Sequence, residues 1–127
     1  MRLDTYQQMA GRTIKVVTQK HEGDLRTLTY TTKLAGEVGE VCELLGKHIG
    51  HGHDLDVEEL EKELGDVLWY VAALATLYDL HLEDIAVGNI AKLKKRYPHG
   101  YSDDASRNRE EYQTDEQRVA RHFDWMQ

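Results

Sequence analysis

Two acidic motifs of the same form lie 22 residues apart in this chain. Glu37-x-x-Glu40 lies within LAGEVGEVCELLG, and Glu63-x-x-Asp66 lies within VEELEKELGDVLWYV. Carboxylate oxygens are the ligands that Mg²⁺ and other hard divalent cations prefer. A pair of such ions can polarise a phosphoryl group and activate a water. The four carboxylates therefore have the chemistry of a metal–phosphate site.

The apolar residues around each motif recur at helical spacing. On a helix that advances about 100° per residue, Glu37 and Glu63 fall inside apolar stripes, and Glu40 and Asp66 lie at their edges. An unpaired buried carboxylate is unfavourable and needs a cation, a metal or a proton. Solvated surface charge is the ordinary state of glutamate and stays open for each motif alone. Two copies of one arrangement favour a shared site.

A third polar group follows on a later helical segment. Asn89, Lys92 and Arg96 lie within about 60° of one another and form one polar stripe. Lys94 and Lys95 are better explained as cations at the negative end of the helix dipole. The amide of Asn89 can bond either a phosphate or buried backbone, and the sequence does not separate the two.

The elements that must position these side chains are helices, and no strand pattern competes with them. We predict four helices. They run over about residues 3–17, from residues 24–27 to about residue 49, from a cap at residue 56 to about residue 79, and over residues 82–96. Asp4 is expected to cap the first helix, and Asp56 with Glu59 has the form of a capping box for the third. Short connections make consecutive helices antiparallel neighbours. The predicted fold class is all-α, an antiparallel bundle of about four main helices completed by oligomerisation.

The length of 127 residues fits one domain. We divide the chain into a helical core at residues 1–98 and a polar C-terminal tail at residues 99–127. The tail has few core candidates, although Thr114 and Gln117 are placed to cap a short last helix.

Composition narrows the function classes. Apolar residues make up 40% and charged residues 31% of the chain, which is typical of a soluble helical protein. No apolar run is long enough to span a membrane, and the N-terminus lacks the apolar block of a signal peptide, so a cytoplasmic location is expected. A formal charge of −7 argues against nucleic acid but not against a phosphorylated small molecule held through a divalent cation. The single cysteine, Cys42, is expected to be a small packed residue.

In their order along the chain, the motifs resemble those of the MazG-like nucleoside triphosphate pyrophosphohydrolases, members of an all-α superfamily. The similarity covers roughly residues 28–109 and rests on EVGEV, ELGDVLWYV, NIAKLKKRYPHG and SRNR. The resemblance implies Mg²⁺-dependent cleavage, with Mn²⁺ as a substitute, between the α- and β-phosphates of a nucleoside triphosphate. The products would be the monophosphate and pyrophosphate. It also implies homodimers or homotetramers.

Carried over residue by residue, the resemblance assigns roles to the positions that match. The metal ligands and catalytic carboxylates would be Glu37, Glu40, Glu63 and Asp66. The stripe formed by Asn89, Lys92 and Arg96 would bind triphosphate oxygens, and Tyr70 would contact the nucleotide. Lys33, one turn before Glu37, is a further phosphate candidate, with a simple surface pair to Glu37 as an equal alternative. We expect Trp69 to serve packing rather than base stacking.

Three rival interpretations come from other classes of protein. A carboxylate-bridged redox bundle normally uses Glu-x-x-His motifs, and none occurs in this sequence. A zinc site at His48, His51 and His53 would straddle a glycine-rich break without thiolate ligands, so a flexible polar loop is favoured there. The third rival is a noncatalytic helical oligomer that binds nucleotides or a protein partner. Occupation of all four acidic positions favours the enzyme, but base and sugar preference do not follow from spacing.

Overall fold

The computed structural model describes residues 1–108, which contain helices and no strand. The helices are α1 (Leu3–Gly11), α2 (Lys20–His51), α3 (Val57–Leu77), α4 (Leu82–Arg96) and α5 (Asp103–Arg107). The chain forms two compact units, one spanning Met1–Glu83 and the other starting at Asp84. The all-α class is confirmed for the described part of the chain. No helix within it is long and apolar enough to cross a bilayer.

Helices α2 and α3 pack against each other in the first unit. Two pairs of neighbouring residues give the relative direction of the two helices. Tyr30 of α2 contacts Tyr70 of α3, with ring centroids 5.8 Å apart. Further along α2, Glu37 approaches Glu63, which comes earlier on α3. Because residue numbers rise on one helix as they fall on the other, the pair is antiparallel, as the short connection predicts.

Helix α1 packs on another side of α3 and closes the small core of this unit. Ala10 of α1, Ala72 of α3 and Leu82 form its buried cluster. Ala72 is only 1% exposed. Alanine brings little volume into the helix interface, so α1 and α3 can approach closely at this point.

Gln7 fastens α1 to the turn that leads from α3 to α4. Its Nε2 donates to Thr76 Oγ1 at 3.1 Å and to the Leu80 carbonyl at 2.8 Å. Its Oε1 accepts from the Leu82 backbone N–H at 2.7 Å. Asp79, in the same turn, has a φ of 56°, a left-handed conformation that aspartate tolerates better than most residues. The Gln7 side chain thus hydrogen-bonds backbone groups of the turn that have no partner within a helix.

The two predicted N-terminal caps have different outcomes. Asp56 caps α3, and its carboxylate accepts from the Glu59 N–H at 3.0 Å, as predicted. The prediction that Asp4 caps α1 is wrong, because Arg2 occupies the cap position. Asp4 lies inside the first turn, where it accepts from the Thr5 N–H at 2.7 Å and pairs with Arg2 at 3.1 Å.

The predicted first helix is also too long, because α1 ends at Gly11. Beyond it, Thr13 is held by contacts with α1 and α3 instead of continuing the helix. The Thr13 hydroxyl donates to the Ala10 carbonyl at 2.8 Å and accepts from Trp69 Nε1 at 2.8 Å. The contact between Trp69 and Thr13 therefore ends the helix, although apolar residues continue at helical spacing as far as Val17.

Helix α2 is longer than predicted, because it begins at Lys20 and ends at His51. Gly52 then adopts a φ of 69°, the left-handed conformation that commonly closes helices. Cys42 is exposed on this helix, so the prediction of a packed residue is wrong.

The second unit contains nearly all of α4 and the short α5. Helix α4 spans the predicted residues and stops before Pro98, which restricts the residue preceding it. Helix α5 begins after Ser102, whose hydroxyl accepts from the Ala105 N–H at 3.1 Å. The last predicted helix, near Thr114 and Gln117, lies outside the described residues, and the division after residue 98 stays a prediction.

Candidate active site

Three of the four predicted acidic residues meet between α2 and α3. One carboxylate oxygen from each of Glu37, Glu63 and Asp66 lies within 4.8 Å of the other two. Glu37 and Glu63 are half-buried and Asp66 is exposed. Glu40, the fourth residue, is exposed one turn after Glu37. We call Glu37, Glu63 and Asp66 the carboxylate cluster.

The surrounding sequence explains why these charges lie at a helix interface. Leu34 and Val41 flank Glu37 by about one turn on each side, and both are half-buried. Leu60 and Val67 flank Glu63 in the same way and are also half-buried. Since residues three and four apart share a helix face, apolar packing places the two glutamates where they are partly removed from water.

Within the carboxylate cluster, the surroundings of Glu63 oppose its ionisation. Burial raises the pKa of Glu63 above its ordinary value, and the nearby charges of Glu37 and Glu40 raise it further. Glu59 and Asp66 act in the same direction. Carboxylates this close repel one another, and a proton or a cation between them relieves that repulsion.

Tyr70 lies beside the carboxylate cluster, one turn past Asp66. Burial raises the pKa of the Tyr70 hydroxyl, and the charge of Glu37 is the next largest cause. Its ring contacts the rings of Trp69 and Tyr30, with centroids 4.9 and 5.8 Å apart. The structure thus brings Tyr70 to the site, while its contact with a nucleotide stays a prediction.

Trp69 serves packing, as expected. Its ring lies edge-on to Tyr30 at 5.3 Å and packs against the core between α1 and α3. Its indole nitrogen donates to Thr13. This hydrogen bond therefore holds in place the segment around Thr13, which follows α1.

Sequence reasoning missed one residue of α1 that approaches the site. Burial raises the pKa of Tyr6, and the charge of Asp66 raises it further. The two residues are 60 positions apart, and Tyr6 belongs to an ordinary apolar stripe. No local pattern could have joined it to an acidic motif in α3.

The predicted phosphate-binding residues belong to different units. Lys33 lies in the first unit, and Asn89, Lys92 and Arg96 lie in the second. Lys33 is exposed on α2, one turn before Glu37, and both its phosphate role and its surface-pair alternative stay predictions. Asn89 and Lys92 are exposed on α4. The Arg96 guanidinium lies 5.9 Å from the centroid of the Tyr97 ring, within range of a cation–π contact. Triphosphate binding by these residues stays a prediction.

The histidine-rich break lies partly within α2. His48 and His51 lie in the last turn of α2. His48 Nδ1 lies 2.7 Å from the His53 carbonyl oxygen, an acceptor, so this nitrogen carries the proton in that contact. Across residues 1–108, the carboxylate cluster is the group whose donor atoms are close enough to share a metal ion.

The donor set of the carboxylate cluster fits a hard divalent cation. All its ligand atoms are carboxylate oxygens, the type that Mg²⁺ and Mn²⁺ take. Asp66 is exposed, so solvent and a phosphate can reach the same position. A metal held here would be able to carry substrate oxygens in addition to protein ligands.

Comparisons with known proteins agree with this geometry. A family model of the MazG nucleotide pyrophosphohydrolase domain matches residues 26–101, which include both acidic motifs. Gene 37 protein of Mycobacterium phage L5 is 32% identical over 114 residues, which cover 86% of this chain and 100% of that protein. The uncharacterized protein YvdC of Bacillus subtilis (strain 168) is 43% identical over 42 residues, 33% of this chain and 40% of that protein. No solved structure matches the chain.

Proposed function

This chain belongs to the MazG nucleotide pyrophosphohydrolase family, and we propose on that basis that it is a Mg²⁺-dependent nucleoside triphosphate pyrophosphohydrolase. It cleaves an NTP or dNTP between the α- and β-phosphates and releases a monophosphate and pyrophosphate. Mn²⁺ can replace Mg²⁺, because both accept carboxylate and phosphate oxygens in octahedral geometry.

The carboxylate cluster is the observation that carries this proposal. Three carboxylate oxygens within 4.8 Å of one another disfavour the folded state unless a positive charge joins them. Burial raises the pKa of Glu63, and the charges of Glu37 and Glu40 raise it further. A purely structural helix interface would gain more from apolar side chains at these positions.

Glu37, Glu63 and Asp66 would hold the metal, with Glu40 at the edge of the same site. A metal held there would polarise the phosphoryl oxygens and would make the attacking water more acidic. One of the four carboxylates accepts the proton of the attacking water. The half-buried glutamates keep the reacting phosphate in a partly dry environment, where electrostatic contacts are stronger than in water.

The remaining predicted side chains supply contacts to the substrate. Asn89, Lys92 and Arg96 of α4 donate to triphosphate oxygens and offset the charge that develops on the departing pyrophosphate. Lys33, exposed one turn before Glu37, adds a further cation for the phosphates. Tyr70 contacts the sugar side of the nucleotide from its position beside the carboxylate cluster.

We further propose that the active form is a homodimer or homotetramer. Large apolar side chains are exposed on α2, with Leu28 at 64%, Val38 at 45% and Ile49 at 81%. On α3, Leu64 is 51% exposed. Several large exposed apolar side chains on neighbouring helices are typical of a protein interface, and a second copy of the chain would cover them.

A pyrophosphate-release assay over canonical and modified nucleotides tests the proposal. Release in Mg²⁺ or Mn²⁺ and none in chelator is the expected result. Binding of nucleotides without release from any of them, whatever the metal, would favour the noncatalytic alternative. Release that chelator does not affect would remove the metal from the mechanism.

A further inference from the structure

A cavity of about 360 Å³ opens beside the first turns of α2, at a distance along the helix from the carboxylate cluster. It is lined by Lys15, Glu22, Leu25, Arg26, Thr29 and Tyr30. This volume lies at the lower end of the range for small-molecule sites. Lys15 and Glu22 precede residue 26, where the match to the family domain begins. The cavity is therefore built partly by residues that the shared domain does not include.

Tyr30 gives the cavity wall a hydrogen-bond donor that the described residues do not use. Arg26 lines the cavity but serves the fold, because its Nη1 donates to the Lys15 carbonyl at 2.6 Å and its Nε is buried out of reach of a ligand. The Tyr30 hydroxyl accepts from the Lys15 N–H at 3.1 Å, which leaves its own proton for another acceptor. A ligand that brings a carbonyl oxygen would accept this proton.

The same cavity contains one strong acceptor and one apolar wall. The Glu22 carboxylate can only accept when ionised, so it suits a ligand N–H. Leu25, which is 50% exposed, offers an apolar surface to a flat ring. Guanine, uracil and thymine each carry a carbonyl next to a ring N–H. Adenine has no carbonyl and presents an amino donor next to a ring acceptor, the opposite pattern.

The cavity is aligned with the carboxylate cluster through α2. Arg26, Tyr30 and Glu37 lie within about 40° of one another on the helix, and Tyr30 precedes Glu37 by about 10 Å of helix rise. The Tyr30 ring contacts the ring of Tyr70, which lies one turn past Asp66 of the carboxylate cluster. A sugar and one phosphate would have to bridge these two turns. The two tyrosine rings provide the surface on which they would lie.

We propose that this cavity is the base-recognition subsite of the enzyme and selects nucleotides whose base has a carbonyl next to a ring N–H. The Lys15 ammonium and the Tyr30 hydroxyl donate to the carbonyl, and Glu22 accepts from the ring N–H. The inference rests on the proposed function and extends it from nucleoside triphosphates in general to those of guanine, uracil and thymine. ATP is a poor substrate in this account.

Steady-state kinetics with GTP, dUTP and ATP in Mg²⁺ test the inference. The unmodified protein should show kcat/KM at least about tenfold higher for GTP and dUTP than for ATP, because ATP leaves the site's polar groups unpaired. Glu22→Gln and Lys15→Met should raise KM about tenfold for GTP and dUTP, with kcat and the ATP values nearly constant. Lys20→Met, at an exposed lysine outside the cavity, is the matched control and should change none of these values.

Equal weakening of all three substrates would overturn the inference and indicate a cavity that binds phosphate. An unchanged GTP-to-ATP ratio in both variants would also overturn it while the proposed function stands. Calorimetric titration of GMP and AMP into metal-free protein provides an independent measurement. Preferential GMP binding that Glu22→Gln abolishes would support the subsite even if no nucleotide is hydrolysed, whereas equal binding of the two would contradict it.

Discussion

Helix α3 contacts α1 and α2 through surfaces of opposite character. Towards α1, Ala72 is almost completely buried and Gln7 satisfies the backbone of the adjoining turn. Towards α2, Glu63 and Asp66 face Glu37 across a few ångströms. The first surface stabilises the fold, whereas the carboxylate cluster within the second opposes it through like charge. We infer that the second is kept for its chemistry, and substitutions should separate the two roles.

The largest expected effect is on activity, at the surface towards α2. Asp66→Asn or Glu40→Gln should reduce pyrophosphate release by about 10²- to 10³-fold, because a charged ligand is replaced by a neutral one. The helical circular dichroism signal should remain, since neither residue is buried. Glu58→Gln, at an exposed position of the first turn of α3, is the matched control and should retain activity. Loss of the helical signal in Asp66→Asn would instead assign the carboxylate a structural role.

The surface towards α1 should respond in the opposite way. Gln7→Ala removes three hydrogen bonds and leaves the Leu82 N–H without its partner, so the free energy of unfolding should fall by about 1–3 kcal/mol. Urea denaturation measures the change. Gln8→Ala, at the exposed neighbouring position, should be nearly neutral. Equal stability of the two variants would show that Gln7 does not fasten α1 to the turn.

A smaller loss of stability is expected from a change at Trp69, which holds Thr13 in the segment that follows α1. Trp69→Phe removes the indole donor to Thr13 but keeps an aromatic ring against Tyr30. The free energy of unfolding should decrease by about 1 kcal/mol, the ordinary net value of one hydrogen bond. A decrease of several kcal/mol would mean that the indole packs more tightly than its half-buried position indicates.

The smallest expected effect is on how the stability of the metal-free protein depends on pH, compared between Glu63→Gln and the unmodified protein. The pKa of Glu63 is raised in the folded protein, so its ionised form disfavours folding. This destabilisation is present above the folded pKa and disappears as pH falls through that pKa to the ordinary glutamate value. Metal-free Glu63→Gln should therefore be more stable than the unmodified protein at pH 7, with the difference shrinking on acidification. Thermal melts over pH 4–7 measure it, and a difference independent of pH would contradict the cause given for the shift.

The sequence predicts what local patterns determine. The Asp56 cap, the bounds of α4 and the meeting of Glu37 with Glu63 and Asp66 all follow from helical periodicity and a short connection. The end of α1 does not, because Thr13 is held by Trp69, 56 positions later. The approach of Tyr6 to Asp66 and the cavity at Lys15 and Arg26 likewise depend on contacts distant in sequence, which periodicity along one helix cannot show.

The central claim is that the carboxylate cluster binds a divalent metal, and anomalous diffraction from Mn²⁺-soaked crystals tests it most directly. The predicted result is an anomalous peak in ligating contact with carboxylate oxygens of Glu37, Glu63 and Asp66, absent from crystals of Asp66→Asn. A peak elsewhere on the protein, with these three side chains directed separately into solvent, would contradict the claim.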